Sequence, residues 1–329
     1  MKKLILTHHW RKSPDLCRNK KITLTYLLFA LLVSCGAPVD KSKTVSVSIL
    51  PQRYFIERIA GDFVTVNVMI PPGSDPHSAD MTPGQLKQLN KSSLYFAIGF
   101  LPFEETHIYP LLETLPGIEV INHSEGLALL AGSCCHEAEE HHHHDHGEAH
   151  HDHHAHGEAT EHHHDHHHAT DPHIWMSPRH AKSMAQKIAD VLTRKFPQEK
   201  EHFRRNYEQL ATEIDSLDQE ARRIIEAKQE KSFLIYHPAL AYFAADYGME
   251  QIAIEHEGKE PHPTHLKEVI DLCREKGIRV IFIQHQFDMA NAKTIAKEIS
   301  GEVIPIDPLN PDWKGEMRAL LQVIDTKMK

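Results

Sequence analysis

Between Pro197 and Ala227 the apolar residues Phe203, Tyr207, Leu210, Ile214, Leu217, Ala221 and Ile224 recur at alternating steps of four and three. That spacing draws a single stripe along an α-helix whose other side is charged. About thirty residues at 1.5 Å rise make a rod of ~45 Å. A rod of that length has to bury its stripe somewhere. A coiled-coil dimer seam would do so, but one stripe flanked on both sides by strand-helix alternation reads better as a spine packed against two lobes.

The alternation begins with Val45, Val47 and Ile49, a strand pattern that Pro51 ends. A helix over Tyr54 to Ala60, a strand over Val64 to Ile70 and a loop rich in chain breakers, Pro71 to His77, come next. Helix Pro83 to Lys91, strand Leu94 to Ile98, helix Phe103 to Leu115 and strand Glu119 to Ile121 complete the first set. Beyond the long helix, strands are expected over Phe233 to Tyr236, Gln251 to Ile254, Arg279 to Gln284 and Glu302 to Ile306. Helices fall between them over Leu240 to Tyr247, Pro263 to Lys276 and Ala290 to Ile299, with a last one after Pro311. Regular βαβ alternation implies parallel sheets with helices on both faces. The expected fold class is therefore α/β, with two doubly wound parallel-sheet lobes (36–196 and 229–329) joined by one long helix (197–228).

The length of 329 residues, well beyond one typical domain, agrees with two lobes. A net charge of −10 with neutral histidines argues against nucleic acid as a partner and makes the surface attractive to cations. Lys20 and Lys21 precede an apolar run from Leu24 to Val33, the layout of an export signal and too short for a spanning helix. No small-x-small cleavage site follows; instead Leu32-Val33-Ser34-Cys35 resembles the bacterial lipobox, in which the cysteine is acylated after cleavage of residues before it. Cys35 is then the lipidation site, leaving Cys134, Cys135 and Cys273, which do not make a disulfide framework.

From His136 to His168 runs a tract of histidine and acid that holds 17 of the chain's 30 histidines. Neutral imidazole is the commonest metal ligand, and a tract of this composition reads as metal-binding. It is internal and broken by Asp and Glu, unlike a cloning tag. Its low apolar content cannot offset the entropy of ordering it, so His141, His142, His143, His144, His162, His163 and His164 are expected to bind further ions weakly.

Outside the tract, four ligand-type residues sit just after an expected strand or in a breaker-rich loop. They are His77, His173 in Asp171-Pro172-His173, His237 and Asp307. Doubly wound sheets bind ligands outside the carboxyl ends of their strands. Two positions fall in each half of the chain, so a cleft between the lobes would gather three imidazoles and a carboxylate, a set suited to zinc.

The stretches PGSDPHSADMTP, DPHIWMSP, HPALAYFAADYG and IDPL together resemble the metal-binding solute-binding proteins of bacterial ABC transporters, in their zinc/manganese branch. The resemblance covers nearly all of the chain beyond Cys35. It implies two lobes joined by one rigid helix, with His77, His173, His237 and Asp307 ligating metal in the interlobe cleft. It also implies an extracytoplasmic lipoprotein that delivers the ion to a membrane ABC permease and works as a monomer. Zinc is expected over manganese because manganese members tend to carry a carboxylate where this chain has His237, and imidazole suits zinc, copper and nickel. The chain departs from the family at Gln284-His285-Gln286, and His256, His262 and His265 enrich a second-lobe loop, so His262 or His285 are candidates for an extra ligand.

Two other classes are weighed beside transport. A zinc hydrolase would use three histidines and an open position, but H-E-x-x-H, G-x-S-x-G, a phosphate loop and a dinucleotide fingerprint are all absent. No enzyme is expected. A surface adhesin or zinc buffer would need the tract alone and leaves the four placed ligands unexplained.

Overall fold

The computed structural model describes residues 43–132, 170–255 and 261–329. Cys35, Cys134, Cys135, His256 and the histidine tract, including His141–His144 and His162–His164, lie outside the described residues. The chain forms two four-stranded parallel sheets. The first lobe holds β1 (Thr44–Val47), β2 (Thr65–Val68), β3 (Leu94–Ala97) and β4 (Glu119–Asn122) in the order β2-β1-β3-β4. The second holds β5 (Ser232–Ile235), β6 (Glu250–Ala253), β7 (Val280–Gln284) and β8 (Glu302–Ile306) in the matching order β6-β5-β7-β8. Each sheet therefore reverses direction beside its first strand, where open α/β sheets place ligands.

The first-lobe helices are α1 (Leu50–Ala60), α2 (Pro83–Leu89), the single turn α3 (Tyr109–Leu112) and α4 (Pro178–Lys195). The spine is α5 (Lys200–Glu226), 27 residues and hence about 40 Å long. The second lobe adds α6 (Ala241–Tyr247), α7 (Pro263–Lys276), α8 (Met289–Ile299) and α9 (Trp313–Lys327). Among the described residues no helix is long and apolar enough to cross a membrane.

Three local outcomes differ from the sequence expectation. Pro51 does not close a strand; it stands in the first turn of α1, where its missing N–H leaves nothing unpaired, and the Gln52 side chain accepts from the N–H groups of Ser48 and Ile49. The helix expected over Phe103 to Leu115 is broken into a π-turn (Glu104–Ile108) and α3. Glu104 explains the break, because its carboxylate turns inward to accept from the N–H groups of Ile98 (2.8 Å) and Gly99 (2.8 Å) and from the Ser48 hydroxyl. Gly99 has φ +85°, and a Cβ there would collide with the Asn122 and Ser124 side chains. The third is α4, which was not anticipated; it packs along the spine and buries Ala181, Met184, Ala185, Ile188, Val191 and Leu192.

One buried apolar cluster runs through both lobes. It starts at Val45, Val47 and Phe96, passes Phe203, Leu210, Ile214 and Leu217 of the spine, and continues to Phe233, Phe282, Trp313 and Leu321. Phe233 and Ile235 face this shared core, while Leu234 and Tyr236 face a separate cluster with Ile281, Ile283, Val269 and Ile295, as strand alternation requires. A shared core means that separating the lobes would expose apolar surface, so the spine is no isolated hinge.

Candidate metal centre

His77 sits on the loop that follows β2. Its main-chain N–H donates to the Asp75 carboxylate at 3.0 Å, and the other Asp75 oxygen accepts from the Ser78 hydroxyl at 2.9 Å. This Asx turn gives the loop its shape. The Gln85 side chain in the first turn of α2 donates to the Met69 carbonyl, tying the two ends of the loop together.

His173 lies at the start of a 3-10 turn (Ile174–Met176) that leads into α4. One oxygen of Asp171 takes both the main-chain N–H of His173 and its ring Nδ1, each at 2.8 Å, and both residues are buried. His237 follows β5 by two residues. Its Nδ1 meets the Glu255 carboxylate at 2.7 Å, and Glu255 stands just beyond the neighbouring strand β6. The buried Gln284 side chain accepts from the His237 N–H (3.3 Å) and donates to the His237 carbonyl (2.7 Å). Phe287 stacks on the His237 ring at 5.7 Å.

The three imidazoles converge. Ring centroids are 4.7 Å apart for His77 and His237, 5.1 Å for His173 and His237, and 5.6 Å for His77 and His173. One nitrogen from each lies within 4.8 Å of the others. A tetrahedral zinc with bonds of 2.0–2.1 Å spaces its nitrogen ligands by roughly 3.3 Å, so small ring rotations would close the trio on an ion. With Nδ1 of His173 and His237 held by carboxylates, Nε2 is the nitrogen each offers inward, and Nε2 of His237 is buried without a hydrogen-bond partner. A carboxylate behind a ligating imidazole fixes its tautomer and raises its basicity. Burial, and then the facing imidazoles of His173 and His237, hold His77 at about 3, so it is neutral and competent to ligate at physiological pH.

Asp307 does not join this group. Its Oδ1 accepts from the Leu309 N–H at 3.0 Å, and its own N–H donates to Glu316 at 2.8 Å. It lines a cavity of about 500 Å³ together with His285 and with Pro72, Gly73 and Ser74 of the His77 loop. His262 stands at the position just before α7 and His265 lies in its first turn; neither they nor His285 enter the trio. Sequence reasoning gave Asp171, Glu255 and Gln284 no role behind the ligands. Asp171 carried a signal, an acid two residues before a candidate ligand. Glu255 and Gln284 meet His237 only because β6 and β7 flank β5, an order the sequence does not print.

Residues 45–327 match the family described as zinc-uptake complex component A, periplasmic. The chain belongs to that family. It is 28% identical over 304 residues to the zinc-binding lipoprotein AdcA of Streptococcus pneumoniae strain R6, covering 89% of this chain and 55% of AdcA. The chain thus spans about half the length of that relative. Among solved structures it is similar to the crystal structure of ZnuA, with 32% identity, a TM-score of 0.70, and coverage of 86% of this chain and 97% of that one. An internal deletion mutant of ZnuA with zinc bound matches at 32% identity and TM-score 0.70, covering 87% and 98%. The two-lobed parallel α/β architecture with a long connecting helix is therefore the family's fold.

Proposed function

We propose that this chain captures a zinc ion outside the cytoplasm and passes it to an ABC permease. The observation that carries the reading is the convergence of His77, His173 and His237, two of them backed by carboxylates, Asp171 and Glu255. Three imidazoles suit zinc better than manganese, whose sites are richer in oxygen. Asp307 is assigned the fourth position, which it would take by moving from the adjoining cavity wall towards the trio. Such a set is a closed tetrahedron for carrying an ion, with no position left for the bound water a hydrolase needs. The lobes are taken as 36–196 and 229–329 with 197–228 between them, and Cys35 as the lipid anchor of an envelope-bound monomer. Metal analysis of protein purified without chelator tests the choice of ion. Near-stoichiometric zinc is the expected result; stoichiometric manganese with little zinc overturns it.

The carboxylates behind the ligands should matter nearly as much as the ligands. Asp171→Asn and Glu255→Gln are each expected to weaken zinc binding by roughly 10–100-fold, the usual cost of losing an outer partner. Competition against a chromophoric chelator measures it, and an unchanged affinity in both variants would remove these residues from the metal centre.

The histidine tract is assigned a gathering role with weak sites. Deleting Glu137 to His168 should lower the number of ions bound at saturation while one tight site survives. Equilibrium dialysis with zinc would reveal a contribution of the tract to the tight site if that site were lost as well.

A further inference from the structure

Two tryptophans cross between the lobes beside the histidine trio, and neither can ligate a metal. Trp175 follows His173 by two residues, and its ring lies 5.2 Å from the His173 ring. Its indole N–H donates at 2.8 Å to the carbonyl of Pro308, the residue after Asp307 in the second lobe. Trp313 opens α9 in the second lobe, and its indole N–H donates back at 2.7 Å to the carbonyl of Trp175. The two bonds run in opposite senses, and both side chains are almost wholly buried, at 1% and 2% exposure. An indole offers only a donor, so each tryptophan is satisfied here by a main-chain acceptor of the other lobe. The Trp313 ring also sits against the first lobe, 5.0 Å from Phe55 and 6.2 Å from Tyr54 of α1.

The His173 segment is held to the second lobe on its other side too. The Tyr242 hydroxyl, on α6, donates to the carbonyl of Asp171 at 2.7 Å and accepts from the Leu130 N–H at 3.2 Å. Ser177, just before α4, donates to Asp246 of α6 at 2.5 Å. Residues 171–177 are thus fastened to the second lobe before and after His173, and Asp171 is the residue that fixes the His173 ring. The hydrogen bonds that shape the His77 loop run to Asp75, Met69 and Gln85, all in the first lobe.

We propose that Trp175 and Trp313 form an interlobe clasp of positioning residues that presents His173 of the first lobe and His237 of the second in a fixed relation before metal arrives, and that this clasp sets how long the ion stays bound. The inference rests on the reading of His77, His173 and His237 as ligands. A site whose supporting groups are locked in advance gives up no ordering entropy on binding, and loosening that support by about an ångström is enough to weaken it. Tyr242 is the clasp's second fastening, acting through Asp171.

Trp175→Phe and Trp313→Phe keep an aromatic ring and delete the indole N–H; Tyr242→Phe deletes one hydroxyl oxygen. In the full chain, zinc transfer to an excess of chromophoric chelator, followed by stopped flow, gives the release rate. The visible absorption of the cobalt-loaded protein reports coordination geometry, which a merely structural change elsewhere would leave alone. Release is expected to quicken by ~10-fold in each tryptophan variant, with a changed cobalt band, as for other losses of support behind a metal ligand. Release within twofold of the parent and an identical cobalt band overturn the clasp, even if the variants melt earlier. Should the tryptophan variants not fold, Tyr242→Phe decides by the same two readouts. Retention of tight binding in His77→Ala would overturn the ligand assignment and the clasp with it, whereas unchanged release in the aromatic variants overturns the clasp alone.

Discussion

Replacing His77 by alanine should lower zinc affinity by more than 100-fold. Loss of an outer-sphere partner already costs roughly 10–100-fold, and His77 is proposed to contribute a direct bond. Alanine at His173 or His237 should do the same to the affinity, but with a second effect. Alanine at His237 would leave the largely buried Glu255 carboxylate without its ring partner, which costs about 1–3 kcal/mol of stability for an unsatisfied group, whereas at His173 the Asp171 carboxylate loses the ring but keeps the His173 main-chain N–H. His77→Ala is the cleaner variant, because the side chain of Asp75 is engaged by the His77 main chain and by Ser78, and both contacts survive. Asp307→Ala is expected to cost less than any of the three, since Asp307 stands outside the trio. Chelator competition on the four variants, with thermal melts of the metal-free forms as the control for folding, tests the ordering. Parental affinity in His77→Ala would sink the ligand assignment.

The strand-helix order could be read from the chain because strands and helices leave different periods. Pro263–Lys276 and Glu302–Ile306 fall where the pattern puts them. The long stripe from Phe203 to Ile224 is the burial pattern of α5. Where a side chain of distant origin intervenes, the local pattern misleads. Phe103 to Leu115 has helical spacing, yet Glu104 is drawn into the sheet ends by Ser48, Ile98 and Gly99. α4 does carry local signals, with Pro178 in its first turn, Ser177 as its cap and apolar residues at steps of three and four along one face. Of the three histidines at the metal centre only His237 stands directly after a strand; His77 is legible from its breaker-rich loop and His173 from its Asp-Pro-His run. What stands behind them is not. The Glu255 and Gln284 contacts depend on strand order, and the partnership of Trp175 with Pro308 spans 133 residues with no local signature.

Below pH 6.5 the metal-free protein should lose stability steadily, and His123 should account for a separable part of the loss. His123 follows β4, is 1% exposed, stacks on Phe96 at 5.4 Å, and finds no partner for either ring nitrogen among the described residues. Burial, and then the charge of Lys187, push it down to about 3. Its ordinary value is 6.5, so above that pH folded and unfolded chains both carry it neutral and it adds no slope. As pH falls from 6.5 towards 3 the unfolded chain takes up a proton that the folded chain refuses, and stability drops by roughly 1.4 kcal/mol per pH unit. His77, also held at about 3, adds a slope of the same sign when no metal is bound. Glu104 acts the other way. Burial raises it from 4.5 to about 7, so the folded chain binds its proton first and stability rises as pH falls through that window. From 6.5 to 4.5 Glu104 therefore offsets one of the two histidines, and below 4.5 both histidine slopes stand unopposed. Urea denaturation of the metal-free protein should show a loss that steepens near pH 4.5. His123→Phe keeps the stack on Phe96, removes the titrating group, and should lessen the slope between pH 4.5 and 3.5 by roughly 1.4 kcal/mol per pH unit. Equal slopes in the parent and in His123→Phe would mean that His123 does not reach its folded environment uncharged.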